Sequence, residues 1–192
     1  MSRLLRMFVL LAFVAACGGG THSIPRNLDN ACSILKQRPT YLKAMQRSER
    51  KWGIPLHVQM ATIHQESKFL GNARTPYKYV LGVIPMGRQS SAYGYSQALD
   101  GTWDDYRKET NSWGARRDDI YDATDFIGWY MAQSTEDLGI SPLDASNQYL
   151  AYHEGRTGYA RRSYRSKSWL TRVSANVGAQ SELYQQQLLS CT

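Results

Sequence analysis

The run from Pro55 to Ser67 constrains the chain more than any other stretch, because apolar residues recur there at helical spacing and a carboxylate closes it. Leu56, Met60, Ile63 and, a turn and a half later, Leu70 share one helical face. Pro55 follows Gly53 and Ile54, and its fixed backbone angle without an amide to donate predicts that the helix starts there. The inner face of such a helix is buried. Glu66 projects roughly 80° from the centre of the stripe, at the border between core and surface. Desolvation at that border disfavours the charged carboxylate and raises its pKa, as a general acid near neutral pH requires. A second reading makes Glu66 a solvated flank residue or the partner of a nearby arginine.

At 192 residues with 42% hydrophobic content, the chain suits one globular domain rather than a disordered protein. Residues 1–16 are set apart. Arg3 and Arg6 give a positive start, Met7 to Ala16 is almost wholly apolar, and the pattern is that of a signal peptide. The apolar run is too short for a membrane span, which takes about 20 residues. Val14-Ala15-Ala16-Cys17 resembles the lipobox of bacterial lipoproteins, so Cys17 is expected to carry lipid, with residues 17–25 as a tether containing Gly18-Gly19-Gly20. No aspartate follows Cys17, which points such an anchor to the periplasmic face of an outer membrane. Residues 26–192 then form the domain. Of three cysteines, Cys32 and Cys191 remain as an even pair in an exported chain, and a disulfide is expected between them. The formal charge of +7 falls to +5 without Arg3 and Arg6, still basic. That suits an anionic polymer or a membrane surface; the charge is spread apart from Arg156, Arg161, Arg162, Arg165 and Lys167, which argues against nucleic acid.

Local signals predict a mainly α domain. Leu28–Lys36 and Tyr41–Trp52 read as two helices broken around Pro39, and helical spacing returns after Ser96 through Ala98, Leu99, Trp103 and Tyr106. Asp122–Leu138 reads as a strong helix, with Asp122 or Thr124 suited to cap its start and Gly139 its end. Asp144–His153 should end at Gly155 and Gly158, and a last helix covers Ser168–Leu189. Between residues 71 and 93, glycines and prolines break the pattern, and the β-favouring residues from Tyr77 to Pro85 suggest a short hairpin.

Several chemistries are excluded. His57 and His64 lack a third ligand at a metal-binding interval, and His64-Gln65-Glu66 lacks the Pro-Cys-x-x-Cys of zinc deaminases, so neither metal nor cofactor is implied. There is no glycine-flanked nucleophile elbow and no phosphate loop. What remains is one border carboxylate among 13 Tyr and 5 Trp, whose flat rings with polar edges suit sugars, although Trp129, Tyr149 and Trp169 read as core.

Three separated motifs resemble the lysozyme-like lytic transglycosylases of the bacterial cell wall. Glu66-Ser67 stands at a helix end. Ser91 to Leu99, with Thr102 beyond, is similar to the family's Gly-Leu-Met-Gln segment and its following Thr; Gly94 and Gln97 match while Tyr95 and Ser96 depart. Ala151-Tyr152-His153-Glu154-Gly155 is similar to Ala-Tyr-Asn-Ala-Gly, with His153 and Glu154 replacing Asn and Ala. The resemblance covers about Trp52 to Gly158. It implies a lysozyme-like fold and Glu66 as sole catalytic acid and base. Gln97 would hydrogen-bond the sugar, Ser67 and Ser91 would line the cleft, Tyr152 would position Glu66 or the acetamido group, and Tyr95 and His153 complete the binding set. Beside these roles, Ser67 as a hydroxyl bonding its own helix, Gln97 as a bridge in the loop before its helix and Tyr152 as core remain open.

The resemblance further implies peptidoglycan as substrate, cut between N-acetylmuramic acid and N-acetylglucosamine with a 1,6-anhydro product. Two rivals stand beside it. A hydrolytic muramidase would need a second carboxylate about 5 to 9.5 Å away, for which Asp100, Asp104 and Asp105 are placed by position. A non-catalytic glycan-binding lipoprotein would fit the changes at His153 and Glu154.

Overall fold

The computed structural model describes residues 23–191. The expected signal peptide, the lipid site at Cys17 and most of the tether lie outside them. Within them are seven α-helices and one two-stranded sheet: α1 Ala31–Gln37, α2 Pro39–Trp52, α3 Leu56–Ser67, β1 Tyr77–Val80, β2 Ile84–Arg88, α4 Asp100–Glu109, α5 Ile120–Leu138, α6 Ala145–Ala160 and α7 Ser168–Leu188, with a 3₁₀ turn at Ser163–Ser166. The mainly α class and the short hairpin are as the sequence predicts.

α3 is the hub. It packs most heavily against α7 and also touches α2, α5 and α6. The expectation of one buried stripe understates this, since every residue from Leu56 to Ile63 is buried, polar ones included. Each polar side chain finds at least one partner, which offsets the penalty of burying it, although Gln59 Oε1 has none among the described residues. Gln59 Nε2 donates to the Ile54 and Met45 carbonyls at 2.7 and 3.2 Å, Thr62 bonds back to Val58, and His57 Nδ1 meets Ser181 Oγ at 2.8 Å. Pro55 is extended (φ −60°, ψ 147°) and caps the helix from outside, so the first helical residue is Leu56. Leu70 falls beyond the end, because Lys68 and Phe69 turn left-handed. Only the last turn, His64 to Glu66, comes out of the core.

Other ends differ from the local signals. Pro39 opens α2 as its first residue rather than only separating two helices. Asp119 caps α5 in place of Asp122 or Thr124, accepting from the Tyr121 and Asp122 amides at 2.8 and 3.3 Å, while Thr124 bonds back to Ile120. Gly139, left-handed at φ 68°, ends α5 as expected. α6 does not stop at Gly155: that residue kinks the helix at φ 74°, and helical turns continue to Ala160. α4 begins only at Asp100, since residues 93–98 form turns with Gln97 left-handed at φ 49°. Cys32 and Cys191 are bonded. The link joins α1 to the end of α7, and a closed loop this long constrains the unfolded chain by roughly 4–5 kcal/mol in the chain-entropy estimate.

Candidate active site

The last turn of α3, the 93–98 turns, the start of α4 and the kinked part of α6 enclose a cleft of about 480 Å³ lined by Glu66, Thr75, Gln97, Thr102, Phe126, Tyr130, Tyr152, His153, Glu154 and Gly155, among others. The three sequence motifs, far apart in the chain, meet here.

Glu66 is partly covered, and burial dominates its electrostatics: the carboxyl is pushed up to about 7 from the usual 4.5. The Tyr149 hydroxyl, which donates a hydrogen bond to it, and the Lys68 charge pull the other way more weakly. Burial of Tyr149 and Tyr152, with Glu66 nearby, holds both phenols far above their ordinary range, so both stay protonated. A carboxyl poised at neutral pH in a cleft can give a proton and take one back. Its elevation at the border between core and solvent has the expected cause, desolvation, and Glu66 stands in the last turn of α3.

The 93–98 turns depend on Gly94. Its φ of 81° is left-handed, and a Cβ there would collide with the Arg117 carbonyl. The backbone is held on both sides, by Gly94 N to Ala73 O at 3.0 Å and Tyr95 N to Arg117 O at 3.1 Å. Gln97 Nε2 donates to the Ala73 and Gly94 carbonyls at 3.0 and 2.8 Å, so its amide nitrogen bridges the loop and its carbonyl oxygen is the end that can face a ligand.

The remaining sequence-selected residues divide. Gln97, Tyr152 and His153 line the cleft. Tyr152 does not hold Glu66 through a hydrogen bond: its hydroxyl donates to the Ser96 carbonyl at 2.6 Å and its ring packs edge-on to Tyr130. Three others are outside the lining. Ser67 Oγ bonds the Ile63 carbonyl at 3.3 Å, Ser91 Oγ accepts from the Asp100 amide at the start of α4, and Tyr95 is buried against Tyr41 with hydroxyls 3.2 Å apart. Asp100, Asp104 and Asp105 are exposed and absent from the lining; the first two pair with Arg117 and Arg107. Trp169, read as core, is 49% exposed and packs edge-on to His153.

Two residues were missed. Tyr149, buried as expected, also bonds Glu66; it precedes Tyr152 by three positions, hence the same helical face, which was the available signal. Glu154 is the other carboxylate of the lining. Its side chain is 4% exposed, and hydrogen bonds from Lys167 first, then Ser163, with His153 weaker, hold it below its ordinary range.

The match to known families decides the lineage. A family model described as Transglycosylase SLT domain matches residues 5–191, almost the whole chain. The chain belongs to that family. The match to the transglycosylase family extends well beyond the 52–158 stretch carrying the three motifs, and the helical body is consistent with its lysozyme-like fold. No curated protein matches the chain.

Proposed function

We propose that this protein is a lytic transglycosylase of the cell envelope that cuts the β-1,4 bond between N-acetylmuramic acid and N-acetylglucosamine of peptidoglycan, leaving a 1,6-anhydro end. The observation that carries the reading is Glu66, a carboxyl lifted to about 7 on the cleft and beside a tyrosine donor, where the other carboxylate among the described lining residues, Glu154, is engaged by Lys167 and Ser163. Protonated Glu66 gives its proton to the glycosidic oxygen as the bond from the anomeric carbon breaks. The substrate's own N-acetyl carbonyl stabilises the electron-poor centre. Ionised Glu66 then removes the proton of the 6-hydroxyl, whose oxygen closes on the anomeric carbon, and no water is consumed. The Gln97 carbonyl and His153 are placed to meet polar edges of the sugar, and the rings of Tyr130 and Tyr152 offer apolar walls. Lipid on Cys17 would keep this domain near its polymer.

A hydrolytic reading has one observation in its favour, the carboxylate of Glu154 in the same cleft. Its oxygens are engaged by Lys167, Ser163 and His153, which suits an anchor better than a base for water. Mass spectrometry of peptidoglycan digests by the chain from Thr21 onward and by Glu66→Gln separates the readings. Products lighter by one water than hydrolytic ones, absent with the variant, support the proposal; reducing-end products overturn it in favour of hydrolysis.

A further inference from the structure

The β1–β2 hairpin buries nothing. Leu81, Val83 and Met86 are 86%, 75% and 65% exposed, and every residue of the two strands is exposed except the partly covered Arg88. The Val80–Ile84 pair, which would ordinarily be covered, faces solvent at the tip. Among the described residues the hairpin is held at its root, where Arg88 Nη1 donates to the Thr75 carbonyl at 2.7 Å and Thr75 Oγ1 to the Ser90 carbonyl at 3.0 Å. An exposed apolar ribbon of this kind marks a contact surface.

Charge selects the occupant. No aspartate or glutamate occurs between Glu66 and Asp100, whereas Lys68, Arg74, Lys78 and Arg88 fall in that interval. The cations sit towards the root with aromatic rings: the Arg88 guanidinium lies 4.4 Å from the Tyr77 ring centre and that of Arg74 4.3 Å from Tyr93. From tip to root, aliphatic residues give way to tyrosines interleaved with cations, Tyr79, Lys78 and then the Tyr77–Arg88 pair. A bilayer surface presents the matching order, with acyl chains below the headgroups and anionic phosphates at headgroup level. A second copy of this basic chain would bring like charges together at the same place.

We infer that the hairpin is a membrane-contact element, inserting Leu81, Val83 and Met86 into the interface of a bilayer containing anionic phospholipid. Thr75 at its root also lines the cleft, so docking of the tip sets the position of the Glu66 cleft above the membrane. The contact is separate from acylation of Cys17 and does not depend on the reaction assigned to Glu66.

Sedimentation with vesicles tests this. The buried core and the disulfide lie within residues 31–191, so a chain starting at Thr21 retains both and carries no acyl group. It is expected to pellet with vesicles of phosphatidylglycerol and phosphatidylethanolamine and only weakly with phosphatidylcholine vesicles. The triple variant Leu81→Ser, Val83→Ser, Met86→Ser should keep the parent's circular dichroism and Tm, while losing about tenfold or more of the anionic-vesicle affinity. Failure of the parent to bind, or equal binding by the triple variant, overturns the proposal. So does parent self-association in sedimentation velocity that the triple variant abolishes, which assigns the hairpin to a second copy. Loss of binding to isolated cell-wall sacculi with vesicle binding intact assigns it to the wall.

Discussion

The end of α3 and the kinked stretch of α6 each bring a glutamate to the same cleft, and the two regions treat it in opposite ways. Glu66 leaves a helix buried on all sides, with a phenol as its neutral donor, and burial raises its pKa to about 7. The Glu154 side chain is 4% exposed, yet Lys167, Ser163 and His153 bond to it and hold its pKa down. Desolvation leads at Glu66 and hydrogen bonding leads at Glu154, and that difference decides which carboxyl can work as an acid. One site retains a transferable proton, whereas the other fixes a negative charge beside the helix-kinking Gly155.

Glu66→Gln should give the largest effect, a loss of turnover of about a thousandfold or more, measured by release of soluble products from peptidoglycan. The folded carboxyl keeps its proton to about pH 7 while the unfolded one loses it near 4.5, so this residue's contribution to stability falls as pH rises through that window. Removing the charge should make the variant more stable than the parent by on the order of 1–3 kcal/mol at pH 8, with little difference at pH 4. Thermal unfolding at both values checks the sign, and a variant less stable at both would make Glu66 structural. The parent's activity should decline as pH rises past about 7, where the acid form disappears.

Glu154→Ala sharpens the comparison from the other side. Loss of the acceptor for Lys167 and Ser163 should cost about 1–3 kcal/mol of stability and lower kcat/KM about tenfold, leaving the alkaline limb of the pH profile in place. A loss of turnover equal to that of Glu66→Gln, in a folded variant, would break the contrast and make Glu154 a reacting group. Tyr149→Phe removes the hydroxyl that donates to Glu66 and also meets the Gln65 side chain. Its hydroxyl lowers the Glu66 pKa, so its removal should shift the alkaline limb upward by up to about one pH unit with only a few-fold change in maximal rate. Ser91→Ala should do least. Because Ser91 meets the Asp100 amide, the expected cost is about 0.5–1 kcal/mol in thermal unfolding, with turnover unchanged.

The exposed hairpin and the buried α3 mark the limits of sequence reading. Alternating β-favouring residues between turn residues locate the hairpin, since its strands pair with near neighbours. In α3, His57, Gln59 and Thr62 look like a solvated face until Ser181, the Met45 and Ile54 carbonyls and neighbouring helices surround them. Gly155 looks like a stop because a left-handed glycine usually ends a helix, yet later turns resume beyond it. Ser91 shows the converse: its motif position suggested the cleft, and a backbone amide nine residues away engages it instead.

The sequence by itself determined the helical class, most helix positions, the pairing of Cys32 with Cys191 and the nomination of Glu66, because these follow from periodicity, composition and short motifs. The tertiary structure alone decided that Tyr149 rather than Tyr152 bonds Glu66, that Glu154 enters the cleft as a neutralised charge, and that Asp100, Asp104 and Asp105 stay out of it. Desolvation and hydrogen-bond partners depend on segments dozens of residues apart, and no local pattern in a single chain records that distance.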